Sequence, residues 1–285
     1  MELSLQQQVE RSIIKTYRKE IWNRFVEGVK RYELIREGDH VCVCLSGGKD
    51  SMLLAKCMQQ LRRHSDFPFS ISFLVLDPGY APENRAQIER NAELLGVPIS
   101  IFPANIFRYV EKQDGAPCYL CARMRRGYLY KYAKELGCNK IALGHHFDDV
   151  IETILMSILY GGEVKTMLPK LHSTNFPGME LIRPLYLVKE YDILRWVNLH
   201  GLHFLRCACS MEQNDAAGES GKRAQTKALI AALRKENSNI DSNIFHAVTD
   251  VNLETLLGYR KGVKHVSFLD EYDEVYDTLT EQPFE

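Results

Sequence analysis

The apolar positions of the first stretch are Val9, Ile13, Ile14, Tyr17, Ile21, Phe25 and Val29. They recur mostly every three to four residues, which predicts an amphipathic helix over residues 4–32. A short apolar run follows at 41–45 and reads as a strand. It passes through a glycine turn into a helix starting with Met52, Leu53, Leu54 and Ala55. Further strands are predicted at 71–76, 98–102 and 141–143. Helices are predicted at 82–95, with proline at the start, at 118–136, with Gly137 just past the end, and at 148–160, closed by Gly161-Gly162. Strands alternating with helices predict an α/β chain with a doubly wound parallel sheet. Beyond residue 165 the pattern is irregular, and it recovers as helices near 189–200 and 220–236. The organisation expected is an N-terminal helical segment (1–36), an α/β domain (37–200), a helical C-terminal segment bearing cysteines (201–264) and an acidic tail (265–285).

Composition narrows the setting. Of 285 residues, 45% are hydrophobic and 26% charged, values typical of a globular chain rather than a disordered or fibrous one. No apolar run approaches the ~20 residues that a bilayer requires. The N-terminus lacks the apolar segment of a secretory signal. A cytoplasmic protein with no membrane partner is expected, so the eight cysteines should be reduced, metal-bound or catalytic rather than paired. The formal charge of −1 is an average of unlike regions. Residues 1–264 hold all 36 basic residues against 30 acidic ones, and the last 21 residues hold seven acids and no bases. The body is mildly basic, which allows a polyanionic partner without requiring one.

The turn Ser46-Gly47-Gly48-Lys49-Asp50-Ser51 sits where an open α/β sheet binds ligands, at the carboxyl end of a strand. Two glycines let the backbone approach an anion closely, and the following helix offers free N–H groups and the positive end of its dipole. Ser46 and Ser51 add hydroxyl donors and Lys49 adds charge. Together they form a phosphate cradle that is neither a Walker A loop nor a dinucleotide fingerprint, since both spacings are absent. A second turn, Gly144-His145-His146-Phe147-Asp148-Asp149, also joins a strand to a helix. Its acids cap that helix, hold Mg²⁺, or aim the histidines at a nucleotide. Asp77, ending the second strand, reads equally as part of this sheet edge or as an ordinary loop carboxylate before Pro78-Gly79.

The cysteines divide. Cys42, Cys44, Cys57 and Cys138 flank strands and helices and read as small core residues. Cys118 and Cys121 form a CxxC at a helix start, where a thiolate is stabilised. Such a pair serves as a redox couple, half a zinc site or part of an iron–sulfur site. Cys207 and Cys209 form a second pair downstream, and two pairs can converge on one metal. In an extended segment, alternate residues share a face, so both sulfurs of the second pair can reach one point.

The cradle 46–51 resembles the pyrophosphate loop of the PP-loop ATPases. The order of SGGKDS, the CxxC followed by Arg123-Met124-Arg125-Arg126-Gly127, Ala142-Leu143-Gly144-His145-His146, Tyr160-Gly161-Gly162 and Ile182-Arg183-Pro184-Leu185 resembles the TtcA family of tRNA 2-thiocytidine synthetases over about residues 15–260. The resemblance implies an ATP-dependent tRNA sulfurtransferase that cleaves ATP to AMP and pyrophosphate with Mg²⁺. AMP would be placed on the C2 oxygen of an anticodon-loop cytidine and sulfur would then replace that oxygen. It implies ATP contacts by Ser46, Gly47, Gly48, Lys49, Asp50, Ser51, Asp77, Gly144, His145 and Asp149, with Asp50 catalytic. It also implies a [4Fe-4S] cluster held by three cysteines, with one iron free to carry sulfur. Cys118 and Cys121 match two of these ligands. The family carries Cys-x-x-Cys at the third place, and this chain has Cys-x-Cys, so Cys209 is the expected third ligand with Cys207 beside it. If both bind, the site becomes a closed four-cysteine cage, as in structural zinc. A cysteine desulfurase or other sulfur donor, a reductant and a dimeric state are further implications.

Basic residues Arg123, Arg125, Arg126, Lys131 and Lys134 follow the CxxC with no acid between 117 and 134, and suit phosphate contacts to ATP or RNA. Those of the first helix are interleaved with acids and read equally as a solvated face. Lys165, Lys170, Arg183 and Lys189 ring the region after the sheet. Tyr119 and Tyr160 are candidates to stack on a splayed base. Two other readings stay open: a PP-loop ligase or uridine thiolase with zinc or a cluster, and a nucleotide-binding regulatory module. Visible iron–sulfur absorption separates cluster from zinc, and tRNA-dependent pyrophosphate release separates an enzyme from a sensor.

Overall fold

The apolar run after residue 40 lies at the centre of the sheet because it is buried on both faces. In the computed structural model, which describes residues 3–110, 117–205, 221–270 and 272 (side chains of 117–119 excepted), it forms β1 (His40–Leu45). Val41, Val43 and Leu45 face one core, while Cys42 and Cys44 face the other. This is the two-residue alternation of a strand. β2 (Ser70–Asp77) divides likewise, with Phe73 and Val75 on the first side and Leu74 and Leu76 on the second.

The remaining strands are β3 (Ile99–Pro103), β4 (Lys140–Ala142), β5 (Lys170–His172) and β6 (Glu180–Ile182). The order is β3-β2-β1-β4-β6-β5, parallel except for β5, which pairs antiparallel with β6 at the edge. The predicted parallel sheet therefore gains an antiparallel edge, a common addition in large α/β sheets. The chain runs outward from β1 through β2 to β3 and then returns to place β4 on the other side of β1. The β1–β4 seam is thus the topological switch point, where open α/β sheets bind ligands.

The helices are α3 (Lys49–His64), α4 (Pro82–Leu94), α5 (Ile106–Val110), α6 (Pro117–Glu135), α7 (Phe147–Gly161) and α8 (Glu190–Leu199). The first predicted helix is interrupted. α1 (Leu5–Ile14) and α2 (Asn23–Arg31) are joined through a wide turn over Arg18–Trp22. The cause is visible in the sequence. Ile13, Tyr17, Ile21, Phe25 and Val29 recur at strict steps of four, longer than the 3.6 residues of a helical turn, so the stripe drifts around a regular helix. A locally wider turn, with Trp22 N–H donating to Tyr17 O, brings the stripe back to the core. Lys56 of α3 is fully buried and donates to Glu10 (2.7 Å), Gln59 (2.6 Å) and the Leu95 carbonyl (2.6 Å), which ties α1 to the sheet layer.

The C-terminal region adds α9 (Lys222–Glu236) and α10 (Ile240–His246), which close a third core with α7 through Ile230, Ile244 and Phe245 against Phe147, Val150, Ile151 and Ile154. A hairpin, β7 (Gly258–Lys261) with β8 (Lys264–Ser267), follows where only helix is expected. Most of the acidic tail lies outside the described residues. No helix among those described is long and apolar enough to cross a membrane.

Candidate active site

Two turns meet at the switch point. The first leaves β1 at Ser46 and enters α3 with Gly48 as the N-cap. Gly47 has φ +81°, and a Cβ there would lie 2.6 Å from Ile88 Cγ1, so both conformation and space demand glycine. The loop is held by its own hydroxyls. Ser46 N–H and Oγ donate to Ser51 Oγ (3.2 and 3.3 Å), and Ser51 Oγ donates to the Gly48 carbonyl (2.9 Å). The second turn leaves β4 and enters α7. Its Gly144 is pressed onto the first, since a Cβ there would stand 3.0 Å from Ser51 N and 3.1 Å from Asp50 C.

Between them lies a cleft of about 300 Å³ lined by Ser46, Asp50, Ser51, Tyr80, Arg125, Gly144, His145 and Asp149, with Cys44, Leu76 and Leu143 at its apolar end. Arg125 Nε and His145 Nδ1 are buried there and have no hydrogen-bond partner among the described residues. Unmatched buried polar atoms of this kind are uncommon and mark places that await a ligand or water. Burial, aided by the charge of Arg183, pushes His145 down to about 4, so its imidazole is neutral near pH 7.

Salt bridges anchor both turns. Lys49 Nζ lies 3.0 Å from Asp50 and 3.1 Å from Glu190. Glu190 also meets Lys227 of α9 at 2.6 Å and donates its N–H to Asp148 (2.7 Å). Burial works against the Glu190 charge but is outweighed by Lys227 and Lys49, which hold the carboxyl down at about 2. Asp148 binds Arg234 (2.6 Å), and Asp149 accepts from His146 N–H (3.0 Å) and Arg223 (2.9 Å). Asp149 thus serves as a helix cap while keeping an oxygen edge at the cleft.

The structure brings together Ser46, Gly47, Gly48, Lys49, Asp50, Ser51, Gly144, His145 and Asp149. Asp77 is at the same sheet edge but outside the cleft lining. Its carboxylate accepts from Gly79 N–H (2.9 Å) and Tyr80 N–H (2.8 Å), the bonding of a loop carboxylate. Tyr160 is on the far end of α7, where its hydroxyl donates to Gln225 (3.0 Å). Cys42, Cys44, Cys57 and Cys138 are buried and free, and burial pushes the Cys57 thiol well above its ordinary range. Cys118 and Cys121 both lie on α6, and Cys121 is one turn before Arg125. Cys207, Cys209 and Tyr119's side chain lie outside the described residues. No group of three metal-ligating side chains occurs among those described.

Residues not singled out from the sequence hold the ends of this region. Leu205 N–H donates to the Gly47 carbonyl (3.2 Å), so the chain leaves the phosphate loop two residues before Cys207. It returns in α9, whose Arg223, Lys227 and Arg234 grip Asp149, Glu190 and Asp148. The signal for the latter was present, because 222–235 carries five basic residues and no acid.

A family model described as PP-loop domain matches residues 6–214. The chain is 37% identical over 235 residues to a tRNA-cytidine(32) 2-sulfurtransferase from Legionella pneumophila, covering 81% of each. It is 34% identical over 249 residues to the protein of that name from Coxiella burnetii, covering 85% of this chain and 94% of the relative. Its fold is similar to that of the U34-tRNA thiolase NcsA from Methanococcus maripaludis, solved with its [4Fe-4S] cluster. The TM-score is 0.64 at 20% identity, over 84% of this chain and 80% of the other.

Proposed function

The chain belongs to the PP-loop family that includes the tRNA-cytidine(32) 2-sulfurtransferases, and on that footing we propose that it replaces the C2 oxygen of an anticodon-loop cytidine with sulfur at the expense of ATP. One observation carries the reading. The segment bearing Cys207 and Cys209 is tied at one end to the phosphate loop through Leu205 and Gly47, and at the other to the second turn through Arg223 and Asp149. Cys118 and Cys121 open the helix that contributes Arg125 to the cleft, and Cys207 follows two residues after Leu205 in the sequence, which supports both cysteine pairs serving the nucleotide site.

The loop N–H groups, the Ser46 and Ser51 hydroxyls and Lys49 bind the β- and γ-phosphates, the sites of the leaving pyrophosphate. Lys49 changes partners, from Glu190 to phosphate, when the nucleotide enters. Asp50 and Asp149 offer the oxygen donors that Mg²⁺ prefers. The unpartnered donor Arg125 Nε, with the unpartnered His145 Nδ1 beside it, supports charge stabilisation at the α-phosphate, where the cytidine O2 attacks and pyrophosphate leaves. The adenylated oxygen then departs as AMP when sulfur adds to C2. Thiols are the donor set that an iron–sulfur cluster takes, and Cys118 and Cys121 supply two of them on one helix. Cys118, Cys121 and Cys209 would hold a [4Fe-4S] cluster, which would supply a place for the incoming sulfur to bind. A desulfurase-type donor and a reductant complete the reaction.

The test is anaerobic purification followed by turnover with ATP, unmodified tRNA and sulfide. Visible iron–sulfur absorption and pyrophosphate release that requires tRNA are the expected results. A colourless protein that binds zinc and releases pyrophosphate while coupling an amine would overturn the reading.

A further inference from the structure

A second groove, of about 540 Å³, runs along the other side of α6 from the nucleotide cleft. One wall is α6, with Arg123, Arg126 and Tyr130, and the other is the β5–β6 connection, with His172, Asn175 and Phe176. Helix α6 is thus shared. Arg125 lines the cleft, and its neighbours two before and one after line the groove.

Three observations say what the groove takes. First, no acidic residue among those described lines it. The groove of similar size between the N-terminal helices and α10, about 550 Å³, is lined by Glu20, Glu27, Asp192 and Asp241 beside its basic residues and so neutralises itself. Second, Arg123 and Arg126 are exposed and form no ion pair or hydrogen bond among the described residues. Third, Arg183, only 7% exposed, stands close behind this wall, near Arg126 and Tyr130, and forms no ion pair with a carboxylate among the described residues. Its Nε is unpartnered and a single guanidinium N–H reaches the Leu168 carbonyl. Burial, with the opposing charge of Arg126 added, pulls Arg183 down to about 10. A patch of unpaired guanidiniums without acids is completed by an anion. Two arginines three positions apart on one helix present their heads side by side, which suits successive backbone phosphates. Phe176, half-buried and stacked on the buried Tyr130 (centroids 5.1 Å apart), gives the groove lining an aromatic element, as single-stranded RNA sites have.

We infer that this groove is the track for the single-stranded loop of the RNA substrate, with Arg123 and Arg126 holding phosphates that flank the reacting nucleotide. The inference rests on the proposed thiolation, since it makes α6 the partition between ATP and RNA. It divides the arginine cluster after the CxxC: Arg125 serves the nucleotide, and Arg123 and Arg126 serve the RNA. The base to be modified crosses the partition near Cys121, one turn before Arg125.

The experiment measures binding of a fluorescent anticodon stem-loop RNA to the full chain by anisotropy across a salt series, with ATP-analogue binding in parallel. The double variant Arg123→Gln/Arg126→Gln is expected to weaken RNA binding at least tenfold at low salt. It should flatten the slope of log K against log salt by about 2, roughly 1 per lost phosphate contact. ATP-analogue affinity should be unchanged, and Arg123→Lys/Arg126→Lys should restore most of the slope. Lys19→Gln/Arg24→Gln, in the self-neutralised groove, should leave both unchanged. An unaltered slope and affinity in the Arg123/Arg126 variant overturns the inference, even if the wild type thiolates tRNA. Poly-glutamate binding with the same dependence on these arginines also overturns it, by making the groove an acidic-peptide site. If the slope falls as expected but the wild type forms no thiolated nucleoside, the thiolation reading fails and the RNA track stands.

Discussion

Alanine at position 144 would force a methyl carbon to within 3.0 Å of Ser51 N, 3.1 Å of Asp50 C and 3.2 Å of Ser51 Cα. Ordinary contacts begin near 3.4 Å, so the two turns must part by a few tenths of an ångström. All three atoms are backbone of the first turn of α3, and none can rotate away. Overpacking of this kind costs about 1–3 kcal/mol. The loop has two responses. If it shifts, the phosphate cradle is misplaced and ATP binding weakens roughly five- to hundredfold, since 1.4 kcal/mol is a factor of ten. If it holds, the strain appears as lost stability, about 2–4 °C in Tm per kcal/mol for a chain approaching this size. Titration calorimetry with a non-hydrolysable ATP analogue and thermal unfolding together capture both. Gly161→Ala is the control. Gly161 is in the last turn of α7 and its added Cβ meets nothing within 4 Å, so binding should be unchanged and stability equal or slightly higher. A Gly144→Ala protein with wild-type affinity and wild-type Tm would refute the claim that the two turns are fixed against each other.

Glu190→Gln should destabilise the protein by up to about 3 kcal/mol near neutral pH, because a carboxyl held at about 2 instead of 4.5 stabilises the folded state wherever it is ionised. That contribution is complete above the unfolded value and is lost as pH falls through the folded one. Urea unfolding should therefore show the variant and wild type converging as pH drops from 5 towards 2, and a gap independent of pH would contradict the assignment. Cys121→Ala, and separately Cys118→Ala, should abolish visible cluster absorption and thiolation while leaving ATP-analogue affinity within about twofold; retained thiolation in either would remove that cysteine from the site. Glu10→Gln should cost about 3–5 kcal/mol in equilibrium unfolding, because it strands the fully buried Lys56 ammonium. Glu10→Gln combined with Lys56→Met should recover much of that loss, and no recovery would show that the pair does not act as a unit.

The front half of the fold was legible because its signals are local. The run at 41–45 is apolar on both faces, as a central parallel strand must be. Ser46-Gly47-Gly48-Lys49-Asp50-Ser51 declares an anion site by residue type alone. The interruption of the first helix was latent in the four-residue steps of its apolar stripe. β5 and β6 were invisible, since each is short and follows no helix–strand alternation, and they are defined by the three antiparallel pairs between them and by the parallel pairing of β6 with β4. Less legible were the partners of Glu190, Arg223 and Lys227. The basic run at 222–235 marks Arg223 and Lys227 as cations, but the ion pairs that bring them and Glu190 to the site span 37 to 141 residues of sequence and leave no local pattern. The bond from Leu205 to Gly47 is a backbone contact and has no residue signature at all.

The central claim is that the two cysteine pairs and the phosphate cradle form one thiolating site acting on cytidine. Mass spectrometry of nucleosides from purified tRNA, compared between cells with and without the gene, tests it most directly. The account predicts that 2-thiocytidine disappears on deletion, returns with the wild-type chain and does not return with Cys121→Ala. Unchanged 2-thiocytidine in the deletion strain, or loss of a thiolated uridine instead, would contradict it.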